Sequence, residues 1–310
     1  MKVGRRQIDI SNRNKMFFPD AGLTKGDLVD YYLAVAETML PHLKHYGVNM
    51  QRFPDGIDGK SFYQKDASDY FPDWIDTVTI PKREGGSFAA PVISSKAALA
   101  YLVDQAMLTP HLYLSRKDDL EHPDRMIFDL DPPGGQDDAK AVRSAALDLY
   151  RILEELDLQS WAQTTGSKGF HIIVPLDRSA GFDTVRNFAE DAVRLLVRRH
   201  PERYTLAQQK DQRAGKIFLD WLRNAYGATA VAPYAVRALP AAPVATPLEW
   251  KELENGAGPR DWTIENIPDR LGQKNDPMAG IMRHARSLAS RREKLDQLLA
   301  RESPAEEEKE

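Results

Sequence analysis

The sequence contains no cysteine. That excludes disulfides and thiolate zinc sites, and it fits a reducing compartment, so a cytoplasmic, nucleoid-associated location is the expectation. It has no apolar run near the ~18 residues that a membrane span needs, and no signal-peptide pattern at its N-terminus. It also lacks a basic balance. The formal charge is −4, and the last ten residues, with five Glu against one Arg and one Lys, hold all but one unit of it. A polyanion would therefore have to be gripped by local clusters of Lys and Arg. No repeat is visible, and the only biased stretch is that tail, 301–310, which reads as disordered. What remains is a chain of 310 residues with 42% apolar content. That is enough for a real core in two domains or in one large domain with two lobes.

The most informative stretch is Arg125-Met126-Ile127-Phe128-Asp129-Leu130-Asp131-Pro132-Pro133. It reads as a buried strand ending in two acids. Residues two apart in a strand share a face. Ile127, Asp129 and Asp131 therefore line one side, while Met126, Phe128 and Leu130 pack on the other. The two acids stand roughly 6.5–7 Å apart at Cα. Two ionised carboxylates that close repel by on the order of 3 kcal/mol at an effective dielectric of about 20. One or two shared divalent cations would offset this. A solvated strand end would do so too, and the pair alone leaves both readings open. Pro132 and Pro133 donate no backbone hydrogen bond and stop the ladder. A third acid, Asp220, lies in a separate predicted strand, Lys216–Trp221. A two-cation site needs such a further ligand.

Between these strands, Gly134-Gly135 and a cap at Asp137 are expected to open a long helix, with Val142, Ala145, Ala146, Leu149, Ile152, Leu153 and Leu156 on its apolar face. Two strands then flank the tight turn Thr165-Gly166-Ser167-Lys168-Gly169, followed by Phe170-His171. Backbone N–H groups, the hydroxyls of Thr165 and Ser167, Lys168 and His171 are the ingredients of a triphosphate cradle. The spacing is not that of a Walker A loop.

Nearer the N-terminus, Thr24 and Asp27 form a capping box for a helix ending at Pro41. Lys25 stands at its first position and Lys15 on the preceding loop. A helix start favours anions and a lysine strengthens it, although such lysines are commonly just exposed. Arg52 lies in Arg52-Phe53-Pro54-Asp55-Gly56. Phe62, Tyr63 and Lys65 can form a base-stacking platform or ordinary core, with at least one ring buried. His111 sits alone on a short strand, and Arg237 in an extended, proline-rich stretch. A last helix is expected over about 277–299.

Together these pieces resemble the polymerase domain of bacterial ligase D proteins, within the archaeo-eukaryotic primase superfamily. The resemblance rests on Phe128-Asp129-Leu130-Asp131-Pro132-Pro133, Thr165-Gly166-Ser167-Lys168-Gly169-Phe170-His171, Leu219-Asp220-Trp221, Ala235-Val236-Arg237 leading into Ala242–Leu248, and Ser115–Pro123. It implies an α+β, two-lobed primase-polymerase fold with a central mixed or antiparallel catalytic sheet flanked by helices. One catalytic domain would span 1–300, with an N-terminal lobe to about 110, the catalytic sheet over about 111–250, and a helical segment over about 260–300. By resemblance, Asp129, Asp131 and Asp220 would hold two Mn²⁺ or Mg²⁺ ions. His111, Thr165, Ser167, Lys168, His171 and Arg237 would surround the nucleoside triphosphate. Lys15 and Lys25 would grip the 5′-phosphate of a DNA end or gap, with Arg52, Phe62, Tyr63 and Lys65 completing the DNA contact. The family implies filling of DNA ends and gaps, a preference for ribonucleotides, and work beside Ku and an ATP-dependent ligase in non-homologous end joining. Thr165 stands where serine is common, and Tyr63 where phenylalanine is. No ligase or nuclease module accompanies the domain, so an excised domain and a stand-alone relative filling gaps in excision repair are both expected possibilities. The other classes weighed are a haloacid-dehalogenase-type phosphatase, which also uses Asp-x-Asp at a strand end, and a non-catalytic DNA-end binding module.

Overall fold

The acid-bearing strand lies at the middle of a six-stranded sheet. The computed structural model describes residues 1–132 and 138–302. In chain order the strands that build the two main sheets are β1 (Val48–Arg52), β2 (Phe62–Gln64), β3 (Met107–Tyr113), β4 (Arg125–Leu130), β5 (Trp161–Thr164), β6 (Phe170–Pro175), β7 (Tyr204–Thr205), β8 (Ile217–Asp220), β9 (Thr229–Val231) and β10 (Pro247–Leu248). The larger sheet runs β7-β8-β4-β6-β5-β10 and the smaller β9-β3-β1-β2. Only β7 and β8 pair in parallel in the larger sheet, so it is mixed, as expected.

The alternation in β4 sorts its side chains as the sequence requires. Met126, Phe128 and Leu130 enter a core shared with helices α3 (Ala139–Glu155) and α4 (Phe182–Arg199). Ile127 turns the other way, against Leu114, Ile173, Phe182 and Met278. The helices thus cover one face and leave the other for the acids. A second core forms where α1 (Lys25–Leu43) and α2 (Lys96–Asp104) pack on the smaller sheet. The strand carrying His111 and the strand over residues 229–231 both belong to this smaller sheet. The chain therefore returns to its first lobe after building the catalytic sheet, and a division near residue 110 does not follow the sheets.

Helix starts follow local chemistry. Thr24 and Asp27 form the expected capping box. Asp138 caps α3 through its bond from Ala141 N, 2.9 Å. The cap expected at Asp137, with Gly134 and Gly135, lies outside the described residues, as does most of the acidic tail. Pro41 does not end α1, which continues to Leu43. So near the C-terminal end a proline removes one backbone bond without stopping the last turn. The final helix is shorter than expected. A 3-10 turn (Ile281–His284) precedes α7 (Ala289–Arg301), because Arg286 bridges to Leu176 beside the sheet and donates its backbone N–H to Pro175 O. Two further short helices, α5 (Trp250–Glu254) and α6 (Ile267–Gln273), lie among the described residues. Among the described residues, no helix is long and apolar enough to cross a membrane.

Leu149 of α3 is fully buried in the core beneath the acids. Leu149→Ala should lower the unfolding free energy by about 3 kcal/mol, read from urea denaturation.

Candidate active site

Sheet register brings the site together. Asp129 faces His171 of β6 on one side and Asp220 of β8 on the other. Three residues far apart in sequence thus share one row across the sheet. Asp131 follows just past the end of β4. Its position depends on Gly169: a Cβ there would stand 1.7 Å from Leu130 O and 2.9 Å from Asp131 Oδ1. Only a residue without a side chain lets the turn close this tightly on the strand end.

Asp129 is nearly buried, and both its oxygens have cationic or polar neighbours. Arg223 reaches Oδ2 at 3.0 Å, and His171 Nε2 stands 3.5 Å from Oδ1. Arg223 Nε also lies 3.7 Å from Asp220 Oδ2. Burial pushes the Asp129 carboxyl up, but His171 and Arg223 outweigh it and hold the group below its ordinary range. Burial, and then the charge on Asp129, push Asp131 and Asp220 the other way, above theirs. Arg223 and Arg237 beside Asp131, and Arg223 and Arg213 beside Asp220, counter these rises without cancelling them. The hard oxygen donors of the three acids suit Mg²⁺ or Mn²⁺. Among the described residues, however, no three His, Asp or Glu side chains close around a single point. The place between Asp129 and Asp220 is taken by Arg223.

A cavity of about 470 Å³ opens beside the acids, a size that suits a small polar ligand. Asp129, Asp131, Thr165, Ser167, His171, Arg223 and Arg237 line it from the larger sheet and its loops, with Asn49, Tyr63, Lys65 and His111 opposite. Three polar atoms of these residues are buried without a protein hydrogen-bond partner: Asn49 Oδ1, His111 Nε2 and His171 Nδ1. Unpartnered buried polar atoms that share one cavity are what a polar ligand would satisfy. Burial, then the nearby Arg237, His171 and Arg223, depress His111 to about 3, so its imidazole is neutral at neutral pH.

The turn after β5 differs in detail from the cradle expected. Thr165 Oγ1 accepts from the N–H groups of Ser167 and Gly169, each at 3.2 Å, and lies 3.2 Å from Gly169 O. Its hydroxyl and two of the turn's backbone donors are spent on shaping the turn itself. Arg237 donates to Thr165 O at 2.9 Å. Gly166, at φ +64°, leaves room for it, since a Cβ would stand 2.7 Å from Arg237 Cγ. Lys168 lies in the turn but does not line the cavity.

Phe62 and Tyr63 are both exposed, at 46% and 56%, where at least one was expected to be buried. They lie on a three-residue edge strand that little else covers. Tyr63 meets His111 edge-on, and Arg52 lies over Phe62. Arg52 is otherwise engaged with Gln64 and Gln105 O. Lys25 is not an open anion site. Its ammonium is buried against Asp104 at 2.6 Å and Ser11 at 2.9 Å. Lys15, tied to its neighbour by the bond from Lys25 N to Lys15 O, makes an exposed pair with Asp55. Neither lysine lines the cavity. Arg223, Asn49 and Thr229 were not anticipated. The signal for Arg223 was its place three residues after Asp220.

A family model for the LigD primase-polymerase domain matches residues 24–278. The multifunctional non-homologous end joining protein LigD of Pseudomonas aeruginosa is 34% identical over 274 residues, covering 88% of this chain and 32% of that protein. Its counterpart in Mycolicibacterium smegmatis is 31% identical, covering 89% and 36%. The chain thus spans about a third of the length of these curated relatives. The polymerase domain from Mycobacterium tuberculosis Ligase D in complex with DNA superposes with a TM-score of 0.83 at 29% identity, covering 90% of this chain and 99% of that one.

Gly169→Ala should cost about 2–3 kcal/mol of stability by forcing β6 off the end of β4. Gly272→Ala is the control: it sits on α6 with nothing within 4 Å of its Cβ, and should be neutral or stabilising by up to about 1 kcal/mol. Urea denaturation of both variants checks the contrast.

Proposed function

The chain belongs to the LigD primase-polymerase domain family, a family of DNA-directed nucleotidyltransferases, and on that premise we propose that it extends DNA ends and fills short gaps. The observation that carries the reading is the row His171–Asp129–Asp220, with Asp131 beyond it, beside a cavity that also holds cationic and neutral donors. The primer 3′-oxygen would bond to the α-phosphorus of a nucleoside triphosphate, and pyrophosphate would leave. Asp129, Asp131 and Asp220 are the residues that would hold divalent cations. The chemistry that Mn²⁺ or Mg²⁺ would supply there is a lowered pKa for the 3′-hydroxyl and neutralisation of charge on the triphosphate and pyrophosphate.

The rest is work for the chain's own groups. Arg237, which lines the cavity, would give positive charge where the triphosphate carries negative charge, with Lys168 on the neighbouring turn. Neutral His111 offers a hydrogen bond from Nε2 without adding charge. Ser167 stands on the same side. Thr165 acts on the turn, keeping it in shape through its hydroxyl. Tyr63 and Phe62 offer exposed faces for a base, and Lys65 and Arg52 flank them. Lys15 would meet a 5′-phosphate across a gap. Lys25, already paired, supports the loop that carries Lys15.

We assign the pathway to non-homologous end joining, beside Ku and an ATP-dependent ligase, because the curated relatives described above are named for it. Ribonucleotides are the proposed favoured substrate. Family membership sets aside the phosphatase alternative. A stand-alone role in excision repair would show the same chemistry, with no gain from Ku. A non-catalytic end-binding module would incorporate nothing.

Primer extension on gapped DNA with Mn²⁺ and labelled ribo- or deoxyribonucleotides tests the reading. Asp129→Asn and Asp131→Asn should each lower incorporation by about a hundredfold or more while leaving DNA binding in place. Undiminished incorporation in either variant would refute the assignment. Lys15→Ala should erase the preference for a 5′-phosphate over a 5′-hydroxyl at little cost in stability, because its pair with Asp55 is exposed. Lys25→Ala should instead destabilise the fold by about 3 kcal/mol, because it strands Asp104.

A further inference from the structure

Arg223 stands where the acids need a positive charge. It contacts Asp129 at 3.0 Å through both Nε and a terminal nitrogen, and Nε also approaches Asp220 at 3.7 Å. The guanidinium therefore lies between the two facing acids of the sheet row. Its backbone has little freedom. Asn224, fully buried, accepts from Ile127 N at 2.8 Å and donates to Ile127 O at 2.7 Å and Trp221 O at 2.9 Å. Leu222 N donates to Asp220 Oδ1 at 2.8 Å. The turn that carries Arg223 is thus clamped to β4 on one side and to β8 on the other. The side chain is different: it is 47% exposed and lines the cavity. A fixed stem with a half-exposed head can exchange one anionic partner for another.

We propose that Arg223 is a built-in counter-cation, which neutralises Asp129 and Asp220 until a divalent ion displaces it and its guanidinium turns into the cavity toward the triphosphate. The inference rests on the assignment of Asp129, Asp131 and Asp220 as cation ligands. Guanidinium and metal compete for the same carboxylate oxygens, so they cannot both hold Asp129 fully. The triphosphate supplies the new partner, since planar guanidinium donors match phosphate oxygens. Without Arg223, the acids are left with excess charge and should take a cation more readily. Nucleotide should then bind less well. The two effects have opposite signs, whereas a residue that only braced the acids would weaken both on removal.

The test uses the full chain with Mn²⁺ alone, titrated without nucleotide and followed by electron paramagnetic resonance of the free ion. Circular dichroism checks the fold of each variant. Arg223→Gln should bind Mn²⁺ about fivefold more tightly, or better, the factor equivalent to an ion pair of ~1 kcal/mol. Its KM for nucleotide in primer extension should rise by about fivefold or more. Arg223→Lys keeps the charge and should return both quantities part of the way to wild type. Unchanged or weaker Mn²⁺ binding in folded Arg223→Gln, with Asp129→Asn abolishing binding, overturns the role of Arg223 and leaves the metal assignment standing. Mn²⁺ binding that is absent from the wild type, or indifferent to Asp129→Asn, overturns both. Tighter Mn²⁺ with an unaltered nucleotide KM overturns the turn toward the triphosphate.

Discussion

Asp129 and Asp220 face one another across an antiparallel ladder, and like charges opposite each other weaken such a pairing. The pair is also partly withdrawn from water, which makes the repulsion cost more. Most features of the site answer that one constraint. His171 faces Asp129 from the other neighbouring strand, and Arg223 fits between the acids. The three carboxyl groups are displaced in opposite directions: burial, then the charge on Asp129, raises Asp131 and Asp220, while His171 and Arg223 hold Asp129 down. Arg223 with Arg237 at Asp131, and with Arg213 at Asp220, does not offset burial. Two carboxyl groups raised in this way are receptive to added positive charge.

The scaffold keeps the acids from relieving the strain by moving apart. Helices α3 and α4 fill the opposite face of the sheet, so β4 is fixed from behind by Met126, Phe128 and Leu130. Gly169 lets the next strand close directly on Leu130 O. Asn224 spends both ends of its amide on β4. Each of these contacts is local, but together they hold like charges where water or distance would otherwise separate them. Function and stability draw on the same row of residues here, which is where such conflicts are expected.

The sequence made some of this readable and not the rest. Alternation in 125–131 gave the two faces of β4, because a period of two leaves little choice once one face is apolar. The glycine turn and the capping box at Thr24 were legible for similar reasons, being set by residues a few positions apart. Register was not legible. That Asp129 would oppose both His171 and Asp220 depends on how three strands slide past each other. Nor was the partner of Lys25: Asp104 lies on α2, 79 residues away, and it turns an apparent anion site into a buried ion pair. Thr165 had the expected hydroxyl, but a buried oxygen beside free backbone N–H groups satisfies those first. Phe62 and Tyr63 are exposed because burial on a strand depends on what covers it, and an edge strand of three residues has little cover.

The same pairing explains how a chain with a charge of −4 can meet a polyanion at all. Its candidate DNA contacts are mostly engaged: Lys15 with Asp55, Lys25 with Asp104, Arg52 with Gln64 and Gln105 O. A phosphate arriving at Lys15 replaces a carboxylate and does not meet a bare cation. The gain is then the difference between two anionic partners, which is small for an exposed pair. Such an arrangement would give weak attraction to DNA in general. On the proposed function it would reserve useful affinity for ends and gaps where a phosphate, a base on the Tyr63 platform and a triphosphate in the cavity could be held together. Selectivity for broken DNA would then follow from charge that is already balanced, because only the simultaneous exchange of several partners outweighs the pairs it breaks.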